Sequence, residues 1–356
     1  MLSLIVFLPL VVAAVVAAVP TLGAAAARWV WVAVSAVELV LVGVLWAGYE
    51  DPGSNGLAFE EQVPWIPGVG SSYHVGVDGL SLPLVAMTAV VFLACAVYAL
   101  RDGERPRAQT ALFLFLQGVS LGVFVAADLI LFFVFFDLSI VGMYFVIAGW
   151  GHGSAARSAL KFFLYTFLGS LALLLGFIGL YVAAAPHTFD IPELVAAAPL
   201  EDNPLAGGLV LAAILVGLAV KTPTVPFHTW LPPAHTDAPA IGSAVLAGVL
   251  TLFGAQIVEQ VAALSAVVIE LASVPSERPR RLCTRLPNGS HRARRATLPP
   301  VEMPPGMPSI RASRRAVSKA VWLETVTTSS ITPRSSTPGT KPAPMPWILC
   351  GPACPP

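Results

Sequence analysis

Val220-Lys221-Thr222-Pro223-Thr224-Val225-Pro226-Phe227-His228 sets a lysine at the end of an apolar run and follows it with two prolines three residues apart. Each proline removes a backbone donor and ends regular helix. At membrane depth such a break is tolerated only where the freed groups face protein or a watery cavity. A lysine there can exchange its proton at modest cost, or extend along its stem to the interface. The segment predicts an interrupted helix inside a membrane protein.

The composition around it agrees. Of 356 residues, 56% are hydrophobic and 11% charged, against about a quarter charged in soluble globular chains. Mean hydropathy is +0.79. The zero net charge hides an asymmetry: residues 1–276 carry 7 Lys/Arg against 17 Asp/Glu, and residues 277–356 carry 13 against 3. Fifteen of the 32 prolines also fall in those last 80 residues. The chain thus has two regions of different physical kind.

A bilayer is crossed by about 20 apolar residues in helix. Eight such runs are expected: Leu2–Val19, Trp29–Trp46, Leu80–Leu100, Ala111–Ala126, Leu129–Trp150, Phe162–Val182, Leu205–Val220 and Ile241–Val258. They are continuous rather than alternating, so helices are expected and not a barrel. The first has no basic residue before its apolar core and a second run follows at once, so it reads as a span rather than a cleaved signal. Arg28, Arg101, Arg105, Arg107, Arg157 and Lys161 fall in every second loop, while the alternate loops hold Glu50, Asp51, Glu60, Glu61, Asp128, Asp190, Glu193, Glu201 and Asp202 without Lys or Arg. The positive-inside rule then puts the N-terminus outside.

Ionisable groups at membrane depth are costly and usually mark an ion path. Asp137 ends Leu131-Phe132-Phe133-Val134-Phe135-Phe136-Asp137 within the fifth run. It either stays protonated against a backbone carbonyl or is kept ionised by a cation nearby. Lys221 is the basic residue at depth. His228 and His235 stand seven apart, but Pro232 and Pro233 between them exclude one continuous helix, and each histidine is as readily structural as a proton relay. Glu38 has no partner legible in the sequence. Cys95, Cys283, Cys350 and Cys354 match no spaced thiolate site. Phosphate-loop, dinucleotide, iron–sulfur and haem motifs are missing, so the chain is expected neither to bind nucleotide nor to carry electrons.

Taken together, Val77-Asp78-Gly79-Leu80-Ser81-Leu82-Pro83, the Phe-rich run into Asp137, Arg157-Ser158-Ala159-Leu160-Lys161-Phe162-Phe163-Leu164-Tyr165-Thr166 with Gly169-Ser170, and Lys221 through His228-Thr229-Trp230-Leu231-Pro232 to Ala238-Pro239 and Gly242-Ser243 resemble the antiporter-like membrane subunits of respiratory complex I, in particular their M-type branch in bacterial NADH-quinone oxidoreductase. The resemblance covers residues 1 to about 250. It implies an all-α polytopic fold, here the first part of a fourteen-helix protein with inverted repeats and interrupted helices. It also implies a share in proton translocation coupled to NADH oxidation and quinone reduction, with Asp137 and Lys221 as charge pair and His228 following the break. His235 and Lys161 are further candidates on the path. Aspartate stands where the family more often has glutamate, so the carboxylate reaches one methylene less far. The resemblance further implies that no cofactor is bound by this chain: NADH, flavin, iron–sulfur clusters and quinone belong to other parts of the complex. Expected partners are the other membrane-arm subunits and the lipid bilayer, and no nucleic acid. The expected location is the bacterial cytoplasmic (inner) membrane.

The likeness ends within the eighth run. The family places a Leu-Lys pair before a glycine where this chain reads Thr251-Leu252-Phe253-Gly254. A weak amphipathic run with Gln256, Glu259, Gln260 and Glu270 follows, then a Pro/Arg/Ser/Thr-rich tail from Glu277 that cannot bury enough apolar area to order itself. The expected organisation is 1–76, two helices and an outer loop; 77–258, the antiporter-like domain with its broken seventh helix; and 259–356, a disordered basic tail. The abrupt change of composition favours a shifted reading frame over a genuine extension. Two further readings stand beside the first: a subunit of a multisubunit monovalent cation/proton antiporter, and a truncated membrane protein without activity.

Overall fold

Apolar segments in lipid must satisfy every backbone group internally, and helices do so one segment at a time. The computed structural model describes residues 1–50, 52, 56–101, 105–200 and 203–253. In chain order its elements are α1 (Leu2–Ala18), α2 (Ala24–Ala47), β1 (Ala58–Ile66), β2 (Ser71–Val77), α3 (Ser81–Tyr98), α4 (Pro106–Val125), α5 (Leu129–Trp150), α6 (Ala155–Ala183), α7 (Ile191–Ala197), α8 (Pro204–Lys221), α9 (Leu231–Asp237) and α10 (Ala240–Gly248). Among the described residues, six helices are long and apolar enough to span a bilayer: α2 to α6 and α8. The chain is a multi-pass helical membrane protein.

Among the described residues the eight expected runs fall on helix, with several ends shifted. The first, α1, has 17 residues. The last is cut short: α10 ends at Gly248 and gives way to a 3-10 turn over Leu250–Leu252. The remainder of that run and the tail lie outside the described residues. α6 also begins seven residues before the expected Phe162, because Arg157 and Lys161 are helical although they are not apolar.

α4 is the central helix, with 78% of its apolar window inside the bundle, against 28% for α2. α2 therefore leaves Val37, Val40 and Val44 on an outer apolar face. α6 and α8 pack most closely, and the reason is a pair of facing glycines. A Cβ on Gly217 would lie 2.6 Å from the Gly169 carbonyl oxygen, and one on Gly169 would lie 2.9 Å from Val220. Small residues let membrane helices approach to backbone contact.

The expected outer loop is in fact an antiparallel hairpin, β1 with β2, pairing Gln62 with His74 and Val63 with Tyr73. Gly70 turns it at φ 62°, a left-handed conformation that glycine adopts without strain. Its alternation is hidden in the sequence by Pro64 and by two irregularities of register. The hairpin docks on the starts of α5 and α7: Ala127 N–H donates to the His74 carbonyl at 2.9 Å, and Ile191 N–H to the Ala127 carbonyl at 2.9 Å.

Two acids of these loops, Asp128 and Asp190, become buried joints rather than solvated charges. Asp128, fully buried, caps α5 by accepting from Ile130 N–H and Leu131 N–H, and also accepts from Ser71 Oγ and Ser72 N–H of the hairpin. Burial pushes its carboxyl up against the pull of those bonds. Asp190 caps α7 through Glu193 N–H and bonds His74 Nδ1, while His74 Nε2 meets Glu60 Oε1 at 2.8 Å. The chain's amino terminus and Ser3 bond Glu61 at the same end. At the opposite end Arg105 donates to the Gly149 carbonyl and Arg107 to the Val19 carbonyl.

Candidate functional site

α8 stops at Lys221, as the two prolines require, and the way it stops is specific. A broken helix leaves its last carbonyls without intrahelical donors. Here Leu218 O accepts from both Thr222 N–H and Thr222 Oγ1 at 2.8 Å. Ala219 O accepts from Thr224 N–H at 3.0 Å and Thr224 Oγ1 at 3.1 Å. Val220 O accepts from Trp230 Nε1 at 2.9 Å, the indole reaching back across the break. Threonine and tryptophan, not water alone, close the end of the helix. A 3-10 turn over Phe227–Trp230 then leads into α9, whose first turn holds Pro232 and Pro233. Proline is accepted there because those N–H groups lack helical partners anyway.

Lys221 is 3% exposed, and its ammonium has no hydrogen-bond partner. It faces aromatic rings instead: Nζ lies 4.3 Å from the Phe136 centroid and 5.4 Å from that of Phe253. Such contacts stabilise a desolvated cation by roughly 2 kcal/mol. Phe253 stands in the Thr251-Leu252-Phe253-Gly254 stretch that lacks the expected lysine, and it packs edge-on against Phe124 with centroids 5.1 Å apart. The position thus carries a ring that encloses Lys221.

Asp137 and Lys221 are brought near enough for their charges to act on one another, but they form no ion pair within 4 Å. Ser170 lies beside the Asp137 carboxyl, whose Oδ1 is buried without a partner.

The histidines are separated. His228 lies in the 3-10 turn with Nδ1 buried and unpartnered. His235 joins α9 to α10 through Ser243 Oγ at 2.6 Å. No bond links either of them to Lys221. Lys161 sits on α6 and donates to the Thr229 carbonyl at 2.6 Å, next to Tyr165, whose hydroxyl accepts from Thr229 Oγ1 at 3.0 Å. These two α6 residues, one turn apart, hold the break in place. From the other side, Asp237 accepts from Ser154 Oγ at 2.8 Å and Ser158 Oγ at 2.5 Å, and its carbonyl accepts from His152 N–H.

Sequence reasoning missed Phe136, Phe253, Trp230 and Asp237. Phe136 had a signal, since it adjoins Asp137. Trp230 had a weaker one, an indole N–H in an apolar setting that must find an acceptor.

With this geometry in view, the likeness to known proteins is informative. The family model for the transmembrane region of NADH:quinone oxidoreductase and Mrp antiporters matches residues 126–274. That range reaches past the point in the eighth run where the sequence likeness was expected to end. The NADH-quinone oxidoreductase subunit M of Rickettsia felis is 38% identical over 229 residues, 63% of this chain and 45% of that one. Its counterpart in Rhodobacter capsulatus is 40% identical over 268 residues, 71% and 51% respectively. The chain spans about half the length of the curated relatives it matches. A chain of respiratory complex I from Thermus thermophilus superposes with a TM-score of 0.65 at 27% identity, over 76% of this chain and 55% of that one. Over the part that matches, this chain belongs to the family of membrane subunits shared by NADH:quinone oxidoreductases and Mrp antiporters.

Proposed function

We propose that this chain is a proton-translocating membrane-arm subunit of an NADH-quinone oxidoreductase. One observation carries the reading: a buried lysine ammonium, without hydrogen-bond partner, enclosed by rings at an interrupted helix and near the half-buried Asp137, whose Oδ1 is itself buried and unpartnered. A structural lysine would pair or reach the surface, and Lys221 does neither.

In this mechanism Lys221 holds a proton while Asp137 is close, and releases it when the two move apart. Phe136 and Phe253 keep bulk water from the ammonium between those states. His228, across the break with a free ring nitrogen, takes the proton onward. Lys161 and His235 hold the break in register through Thr229 and Ser243. The redox chemistry belongs to other subunits, which would supply NADH, flavin, iron–sulfur clusters and quinone. Its partners would be the neighbouring membrane-arm subunits and lipid. The membrane would be the bacterial cytoplasmic one with the N-terminus outside. That orientation is supported by the gathering of Glu60, Glu61, Asp128 and Asp190 at one end and of Arg105 and Arg107 at the other.

The test is Lys221→Ala in the assembled complex, measuring protons moved per NADH oxidised. A lower ratio with the complex intact is expected; the parental ratio would refute the role. A second reading, a subunit of a monovalent cation/proton antiporter, is favoured by the matched family, which includes Mrp antiporters. Sodium-driven pH change in vesicles without any dependence on quinone reduction would select it.

A further inference from the structure

α2 and α4 lie side by side, and three contacts fix their register. Thr110 Oγ1 donates to the Ala27 carbonyl at 3.3 Å. The Trp31 ring lies on Phe113 with centroids 4.9 Å apart. Ser35 Oγ donates to Gln117 Oε1 at 2.9 Å. Partners rise together along both helices, so the helices run parallel with a constant offset. One turn beyond Ser35 that offset sets Glu38 opposite Ser120. Spacings of three and four keep Trp31, Ser35 and Glu38 on one helical face, and Phe113, Gln117 and Ser120 on the other.

The polar atoms of this seam are left over in one place. Glu38 is 0% exposed and neither carboxyl oxygen has a partner. Ser120 Oγ, Gln117 Nε2 and Trp31 Nε1, all on buried residues, have none either. Buried polar atoms are normally satisfied by protein or by ordered water. Donors and a carboxyl that share a seam without touching are what a short file of water joins.

We propose that the seam between α2 and α4 is a proton-binding site distinct from the Lys221 region, in which Glu38 takes up and releases a proton through water held by Ser120, Gln117 and Trp31. Among the described residues, the elements packed on α2 bring no cation to it. α1 carries no titratable side chain. Cys95 of α3 donates to the Ile241 carbonyl, and Tyr98 of α3 is exposed. Arg107 of α4 is engaged with Val19 at the far end. Arg28 is ten residues away on α2, about 15 Å along the axis. The unpartnered groups left along the seam include two N–H donors, which suit water rather than a sodium ion.

The experiment is infrared difference spectroscopy between two pH values on the full chain in lipid, in H2O and D2O. A carboxylic C=O band is expected that persists in Asp137→Asn, disappears in Glu38→Gln and shifts in Ser120→Ala and Gln117→Leu. A spectrum unchanged by Glu38→Gln overturns the proposal. If Glu38→Gln does not fold, Ser120→Ala and Gln117→Leu decide: a shifted band supports the site, and indifference to both overturns it. Loss of the band on adding sodium at fixed pH also overturns it, in favour of a cation site.

Discussion

Trp230 is the side chain whose removal best tests how the interrupted helix is held. Its Nε1 is the donor given to Val220 O, at 2.9 Å in a setting 1% exposed. Trp230→Phe leaves that carbonyl buried and unpaired, a cost of about 1–3 kcal/mol. Hydrogen bonds between membrane helices average only ~0.6 kcal/mol, because the unfolded state in lipid also finds partners. Val220 O has no second donor beside it, so about 2 kcal/mol is expected, close to a thirtyfold change in the folding equilibrium. Thr224→Val is the internal comparison. It removes Oγ1 from Ala219 O, but Thr224 N–H still bonds that oxygen at 3.0 Å. About 0.5 kcal/mol is expected there. The assay is reversible unfolding of the full chain in mixed micelles by SDS titration. Benzothienylalanine at position 230, which keeps the indole's shape without the N–H, separates hydrogen bonding from packing. If Trp230→Phe costs no more than Thr224→Val, or the isostere costs nothing, the indole does not cap the helix.

Two further outcomes follow from other parts of the fold. His74 bonds carboxylates through both ring nitrogens, which requires imidazolium when both partners are ionised. Burial opposes that charge, yet Asp190 and Glu60 outweigh it and hold the ring above the ordinary histidine range. A raised value means that its stabilisation is complete below about pH 6.5, the unfolded value, and is lost as pH rises through the folded one. Exchange of the Ala127 and Ile191 amides, corrected for intrinsic rate, should therefore quicken as pH rises, and His74→Gln should flatten that dependence. An unchanged profile in His74→Gln would count against a role for its bonds to Asp190 and Glu60. Gly217→Leu should force α8 away from Gly169 and Leu173, costing about 1–3 kcal/mol by overpacking. Gly208→Leu, which meets open space on the same helix, is the control, and equal effects would refute the close approach.

Much of the scaffold was legible because it is local. Apolar runs of bilayer length and paired prolines act on the backbone within a few residues. The spans and the end of α8 at Lys221 could therefore be read directly, and Asp137, Lys221 and His228 stood out as polar groups in apolar surroundings. The hairpin was not legible, since Pro64 and two register irregularities blur its alternation. Asp128 and Asp190 read as loop charges because nothing local shows that Ser71, Ser72 and His74 arrive to bury them.

What the sequence alone determined is thus the class of fold, the place of the break and the inventory of ionisable groups at membrane depth. Tertiary structure decided their company: Phe136 and Phe253 around Lys221, Trp230 on Val220, Lys161 on Thr229, and no hydrogen-bond partner for the buried Glu38 carboxyl. Helix propensity and hydropathy sum over neighbours in the chain. The environment of a charge is instead set by residues from other helices, and only packing brings those together.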